Sequence, residues 1–415
     1  MDRSKLAPAA TTPKPEEKIL PRGRDFYRAI AALFCGGFAT FSLLYSVQPL
    51  LPTFAREFNV SPAQSSLVLS ATTATLAFAL VFAGALSDVF GRKRVMVSSL
   101  AAASVTMVLA AFARNWSELI FLRALTGVAL SGLPAVAMAY LADEMATNAI
   151  GLAMGLFIAG NTVGGLSGRL VGAISGDHGS WRLGLALVGA VGLASAAVFA
   201  KSLPESRAFS AHEPDLAALW KSTVGHFADP GLRQLFATGF LVMGVFVTVY
   251  NYIAFRLVAP PFLLSQTQVG LVFGLYLIGG LSSATMGELA TRLGRRRVLW
   301  IGWAMILAGL AATIVENLAM VIIGVALVTM GFFGAHSVAS SWVGLRAETA
   351  RAQASSLYLL FYYLGSSVVG TLGGVFYQRQ GWPGVAELVG FLALAGLLVA
   401  LLLMRVAPPR WMPAR

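Results

Sequence analysis

The chain has 415 residues, 57% of them hydrophobic and 12% charged, and a formal net charge of +12. Soluble domains average about half apolar and about a quarter charged, so this composition excludes a soluble globular protein. The basic residues fall between apolar blocks and form no patch interleaved with aromatics, which points away from nucleic acid as a partner.

Residues 1–28 are polar, contain Pro8, Pro13, Pro15 and Pro21, lack the apolar stretch of a signal peptide and read as a disordered tail. Apolar blocks of about the length that crosses about 30 Å of hydrocarbon follow at 29–52, 65–87, 95–113, 118–142, 149–173 and 183–203. After a polar connection at 204–233 they resume at 234–258, 268–290, 298–315, 318–342, 353–377 and 384–404, and 405–415 form a second tail. The pattern predicts an all-α membrane protein of twelve helices in two six-helix bundles, 29–203 and 234–404. An even number of crossings leaves both termini on one side. Lys and Arg crowd that side: in the first tail, at Arg92, Lys93 and Arg94, in the central connection, at Arg292, Arg295, Arg296 and Arg297, and at the C-terminus. The positive-inside rule makes it the cytoplasm. A single cysteine, Cys35, rules out an intramolecular disulfide and reads as packing.

The bundles repeat each other. Gly84-Ala-Leu86-Ser-Asp88-Val-Phe-Gly91-Arg92-Lys93-Arg94 closes the second block and Gly287-Glu-Leu289-Ala-Thr291-Arg-Leu-Gly294-Arg295-Arg296-Arg297 closes the eighth, at an offset of 203. Gly160 to Gly165 answers Gly365 to Gly370 at 205, and Glu144 answers Glu348 at 204. Tandem six-helix halves place a substrate site between them near the midplane.

The Gly84–Arg94 segment resembles the G-x-L-x-D-x-x-G-R-K/R signature of the major facilitator superfamily. Arg123 with Gly127, and the glycine-rich run Gly155 to Gly168, resemble motifs of that superfamily's bacterial exporters, although Asn161 stands where the antiporter motif has proline. Tyr45-Ser-Val-Gln48-Pro49, Phe332-Phe-Gly-Ala-His336 and Ala354-Ser-Ser-Leu-Tyr358 are similar to the YnfM-type inner-membrane transporters. The resemblance implies a cytoplasmic latch of Asp88, Gly91, Arg92 and Arg94, with Glu144 and Glu348 as partners for the arginines. It also implies a cavity lined from spans one and seven, for which Tyr45, Gln48, Tyr250, Asn251 and Tyr252 supply polar edges.

Arg123 lies about five residues, or about 7 Å, inside the fourth block, where a charge needs water, a partner or a substrate. Glu118, Asn161 or an anionic substrate would serve, and snorkelling to the interface is the alternative. For Arg169 and Arg256, nearer their block ends, snorkelling is the expectation. His336 is the one histidine within a block and suits either proton transfer or packing. All 18 acids fall at or beyond block edges, so Asp88, Glu144, Glu288, Glu348 and His336 are the proton-coupling candidates. Gly164, Gly168, Gly172 and Gly176, four residues apart, suit close helix packing. With no phosphate loop, H-E-x-x-H or cysteine cluster, no cofactor, metal or enzymatic activity is expected.

The resemblance thus implies a monomeric secondary transporter of the bacterial inner membrane. It would export a small organic compound (drug-like, sugar-like or siderophore-like) by alternating access coupled to protons, with substrate, protons and lipid as partners. An uptake symporter or uniporter, and a non-transporting receptor or scaffold, stay open from the sequence.

Overall fold

A computed structural model describes residues 18–206 and 216–407. The expected tail before residue 18, linker residues 207–215 and residues 408–415 lie outside the described residues. Spans one to six are Arg24–Glu57, Pro62–Phe90, Arg92–Ala110, Trp116–Glu144, Thr147–Asp177 and Trp181–Ser202. Spans seven to twelve are Pro230–Val258, Gln266–Leu293, Arg295–Ile314, Leu318–Arg346, Arg351–Gln380 and Trp382–Arg405. The tail expected through residue 28 is ordered from residue 18. Span one begins at Arg24, and before it the Ile19 N–H donates to the Glu144 carbonyl at 2.8 Å while Ala146 N–H donates to Ile19 at 3.1 Å. The connection between the halves contains a helix, Leu216–Ala228.

Helices run past the apolar blocks because polar caps outside those blocks satisfy their first N–H groups. The caps repeat with the halves. Ser61 and Gln64 form a capping box at span two, and Ser265 and Gln268 form the same box at span eight. Asn115 caps span four and Asn317 caps span ten. Between spans two and three Gly91 has φ 92° and ψ 137°, and between spans eight and nine Gly294 has φ 89° and ψ 138°. A side chain at either would be strained, so the glycine spacing read from the signature has a backbone cause.

Three spans are broken. Span one stops as an α-helix at Tyr45 and resumes at Leu51 after a 3₁₀ turn, Gln48–Leu50, containing Pro49. Span four breaks between Leu130 and Pro134. Proline lacks the N–H that would continue the ladder, which accounts for both. Span eight passes through a 3₁₀ segment, Phe273–Leu277, a form that often marks a hinge.

Within each half the innermost helices cross closely. A Cβ at Gly160, Gly164 or Gly172 would lie 2.4, 2.0 or 2.1 Å from the carbonyl oxygen of Phe34, Phe38 or Ser46, so span five lies on span one in matching four-residue steps. Span eleven lies on span seven likewise, with Gly365 against the Phe240 carbonyl.

The halves meet away from the face that carries both chain ends. The Asp177 carboxylate, closing span five, accepts from the backbone N–H groups of Gln266 and Thr267 at 2.8 and 2.7 Å, at the start of span eight. Thr73 and Ser367 share a hydrogen bond of 2.7 Å, and Thr371 donates to Ser70 at 2.9 Å, joining spans two and eleven. These bridges lie in the half of the membrane far from the termini. Toward the terminus face, a Cβ at Gly151 or Gly155 of span five, or Gly280 of span eight, would meet nothing within 4 Å. The bridges between the bundles thus lie on the far side, and on the terminus side no hydrogen bond or ion pair among the described residues joins them.

Candidate substrate site

The break in span one leaves the Leu43 and Leu44 carbonyls without backbone partners, and it directs Gln48 into the interface between halves. Gln48 is fully buried; its Nε2 donates to Asn251 Oδ1 of span seven at 2.8 Å, and its Oε1 accepts from Arg169 Nε of span five at 2.8 Å. Gln48 and Asn251 stand at the same place in the two halves, 203 residues apart, so the bond links equivalent residues across the pseudo-twofold axis.

Arg169 is also fully buried, contrary to the snorkelling expected of it. Its Nη1 donates to the Gly165 carbonyl one turn back at 2.9 Å. Its guanidinium carbon lies 4.5 Å from the ring centre of Tyr45, 4.7 Å from that of Tyr276 and 5.6 Å from that of Tyr250. Ring faces attract a cation and compensate part of its desolvation. Among the described residues Arg169 has no acidic partner, and its Nη2 is buried without a hydrogen bond.

From this cation an aromatic wall runs toward the terminus face. Tyr276 meets Phe333 edge-on at 4.9 Å, Phe333 meets Phe332 at 5.0 Å, and Phe332 stacks on Phe246 at 3.8 Å. His336 stacks on Phe332 at 6.0 Å, lies 4.7 Å from Tyr362, and shares a 2.9 Å hydrogen bond through Nδ1 with the Tyr358 hydroxyl. Tyr363 follows at 5.1 Å from Tyr362. The hydroxyls of Tyr45, Tyr362 and Tyr363 have no hydrogen-bond partner among the described residues.

The other expected residues separate by role. Arg123 is fully buried, and its donors go neither to Glu118 nor to Asn161. Nε donates to the Val68 carbonyl at 3.1 Å, Nη1 to Leu43 at 2.9 Å and Nη2 to Leu44 at 3.0 Å, so the residue closes the orphan carbonyls of span one and ties it to spans two and four. Glu118 accepts from the Arg114 N–H, and Asn161 Oδ1 is buried without a partner beside Gly37. Tyr250 bonds Thr329 at 2.8 Å behind the site, whereas Tyr252 faces span eleven, donating to the Gly370 carbonyl at 2.7 Å. Arg256, for which snorkelling was likewise expected, is buried and donates to the Ile314 and Val315 carbonyls at the far end of span nine, with its guanidinium 5.4 Å from the ring centres of Phe262 and Trp382.

On the terminus face, span two ends at Phe90, so Gly91 breaks the helix that would have set Arg92 one turn from Asp88. Arg92 pairs instead with Asp143, the neighbour of Glu144, while Asp88 and Glu348 are exposed without an ion pair among the described residues. Glu144 is buried and accepts from Ser206. Arg94 is exposed, and Glu288 pairs with Arg292 on its own helix. The sequence reading missed Tyr276, Tyr362, Tyr363, Asp143 and Asp177 as well as the position of Arg169. The i, i+4 spacing of Gly165 and Arg169 on the glycine face was a usable signal for the last.

Two repeated six-helix bundles enclosing a polar and aromatic site at their junction define a two-bundle membrane transporter fold. A family model described as Major Facilitator Superfamily matches residues 33–259 and 241–414. The chain is 46% identical over 398 residues to the inner membrane transport protein YnfM of Escherichia coli (strain K12), covering 95% of each. It is 43% identical over 377 residues to the uncharacterized MFS-type transporter YybF of Bacillus subtilis (strain 168), covering 91% of this chain and 93% of that one. A bacterial homologue of the human lysosomal transporter Spinster, in an inward-facing and unoccupied conformation, shares the fold with a TM-score of 0.75. At 16% identity it covers 95% of this chain and 100% of its own. The chain belongs to the major facilitator superfamily and is a multi-pass protein of the bacterial inner membrane.

Proposed function

We propose that the chain is a secondary transporter that exports a small organic compound by alternating access, coupled to protons, with the terminus face in the cytoplasm. The observation that carries this reading is the asymmetry of the junction. The halves are bridged at Asp177, Gln48 and Thr73 in the far half of the membrane, no such bond joins them on the other side among the described residues, and residues from both line the site at the boundary. A solute reaching that site from the terminus face would leave once the Asp177 contacts open and the terminus ends close. The basic loops on the terminus face support the cytoplasmic assignment.

Alternating access needs a latch at each face. Asp177 is the far one in this reading. The exposed Asp88, with Gly91, Arg92 and Arg94, is the released form of the cytoplasmic one, and Glu144 and Glu348 mark equivalent ends of the facing helices. Proton coupling then runs through Asp88, Glu288 or His336. Among these His336 alone touches the aromatic wall.

Export is tested by comparing cells that lack and overexpress the protein for retention of labelled organic solutes. Faster loss on overexpression, abolished by a protonophore, is expected. Net accumulation on overexpression would replace export with uptake.

A further inference from the structure

A fully buried guanidinium with no carboxylate beside it is costly. The idealised penalty for placing one charge in a low-dielectric interior is many times what a hydrogen bond returns. Arg169 recovers part of it from Gln48, the Gly165 carbonyl, three tyrosine rings and the nearby Tyr276 hydroxyl, yet its Nη2 has no partner of hydrogen-bond geometry. Arg123, equally buried, shows the contrast: each of its nitrogens is bound to a carbonyl, so it asks for nothing more. Arg169 also differs from its counterpart in the other half, Gly374, 205 positions on, so the charge is no product of the repeat. It sits where the far-side bridges end and the aromatic wall begins. Its neighbours Tyr45, Tyr276 and Tyr250 come from both halves, so whatever engages the cation is felt by both.

We propose that Arg169 recognises a carboxylate, and that the substrate class is a small organic monoanion with an apolar or aromatic body. This rests on the transport reading above for the site itself. The carboxylate would accept from Nη2, with the Tyr45 hydroxyl as a second donor within the same cage, and the body would lie along Phe333, Phe332 and Tyr362. A monoanion fits because the site offers one unsatisfied cation. The basic loops at the terminus face raise the local concentration of anions at the mouth. Neutralising Arg169 in the bound state also gives the substrate a direct effect on the Gln48–Asn251 bridge, since Arg169 Nε holds the Gln48 amide that donates across the halves.

The test uses the full-length protein purified in detergent. Benzoate, phenylacetate, 4-phenylbutyrate and hexanoate are titrated against their matched amides and amines, with thermal shift and tyrosine fluorescence as readouts. The carboxylates are expected to stabilise the wild type, and the amides and amines are not. Arg169→Gln should weaken carboxylate binding about tenfold or more, the factor expected for one charge-assisted hydrogen bond, and Arg169→Lys should keep the preference for the anion. Should Arg169→Gln fail to fold, the charge preference of the wild type and of Arg169→Lys decides. Equal binding of amides or amines overturns the proposal, as does wild-type carboxylate affinity in Arg169→Gln, or no carboxylate binding to the wild type. An amide that binds and is exported defeats this inference alone. A carboxylate that binds without any flux in proteoliposomes supports it and defeats the transport reading instead.

Discussion

Arg123 and Arg169 are both fully buried in the membrane, and the difference between them lies in where their donors end. Arg123 spends its nitrogens on carbonyls that the break at Tyr45 would otherwise leave bare, a need created by Pro49 four residues further on. Arg123→Gln should therefore lower the stability of the detergent-solubilised protein by about 3 kcal/mol, read from its thermal or chemical unfolding, without altering ligand preference in the folded fraction. The sequence reading placed Arg123 at depth but could not supply its partners, because backbone carbonyls leave no mark in residue identity. Arg169 was misplaced for a different reason. Its apolar block ends at residue 173, but the helix continues to Asp177, which sets Arg169 eight residues, about 12 Å of rise, from its far end. Asp88 is exposed in this conformation, so Asp88→Asn should leave insertion and thermal stability unchanged while slowing transport, measured as flux in proteoliposomes. Wild-type flux from the folded variant would remove it from the latch.

Helices and their contacts were more legible than side-chain partners, because the apolar period and the glycine spacing are carried by residue types. The four-residue steps of Gly164, Gly168 and Gly172 meet span one as expected, and the repeat extends to caps such as Ser61 and Ser265. Gly160→Ala and Gly365→Ala should both reduce folded yield, since each Cβ would enter van der Waals range of a facing carbonyl, at 2.4 and 2.0 Å. Gly151→Ala, with open space around it, should not, and size-exclusion profiles of the three variants compare them directly. At the other end of the C-terminal half, Asp229 caps span seven and holds Arg346 through two bonds of 2.7 and 3.1 Å. Burial pushes the Asp229 carboxyl up, but the Arg346 bonds and the Leu232 N–H outweigh it and hold the group below the usual carboxylate range. The pair therefore stabilises the fold above the unfolded carboxyl value of about 4, and that contribution is lost as pH falls through the lower folded value. Thermal stability of the wild type should drop in this acid window, and Asp229→Asn should be less stable near neutrality with a flatter acid dependence.

At the scale of the molecule, the two-bundle architecture could be read from the offset of 203 between the Gly91 and Gly294 segments, and the matching backbone angles of these glycines give that repeat its physical basis. Which face is closed could not be read, because Asp177 acts on backbone N–H groups of another span. Its two bonds cap span eight from the opposite half, so they exist only while the far ends are together. Their loss should favour the opposite arrangement, in which the terminus ends close and the site opens to the far face. This can be measured by spin-label distances in a Cys35→Ala background, with one label pair at His178 and Leu263 on the far face and another at Asn148 and Thr291 on the terminus face. Alternating access predicts that Asp177→Asn lengthens the first distance and shortens the second in the same population of molecules. A far-face change with the terminus-face distance unaltered, or no change in either, would contradict it.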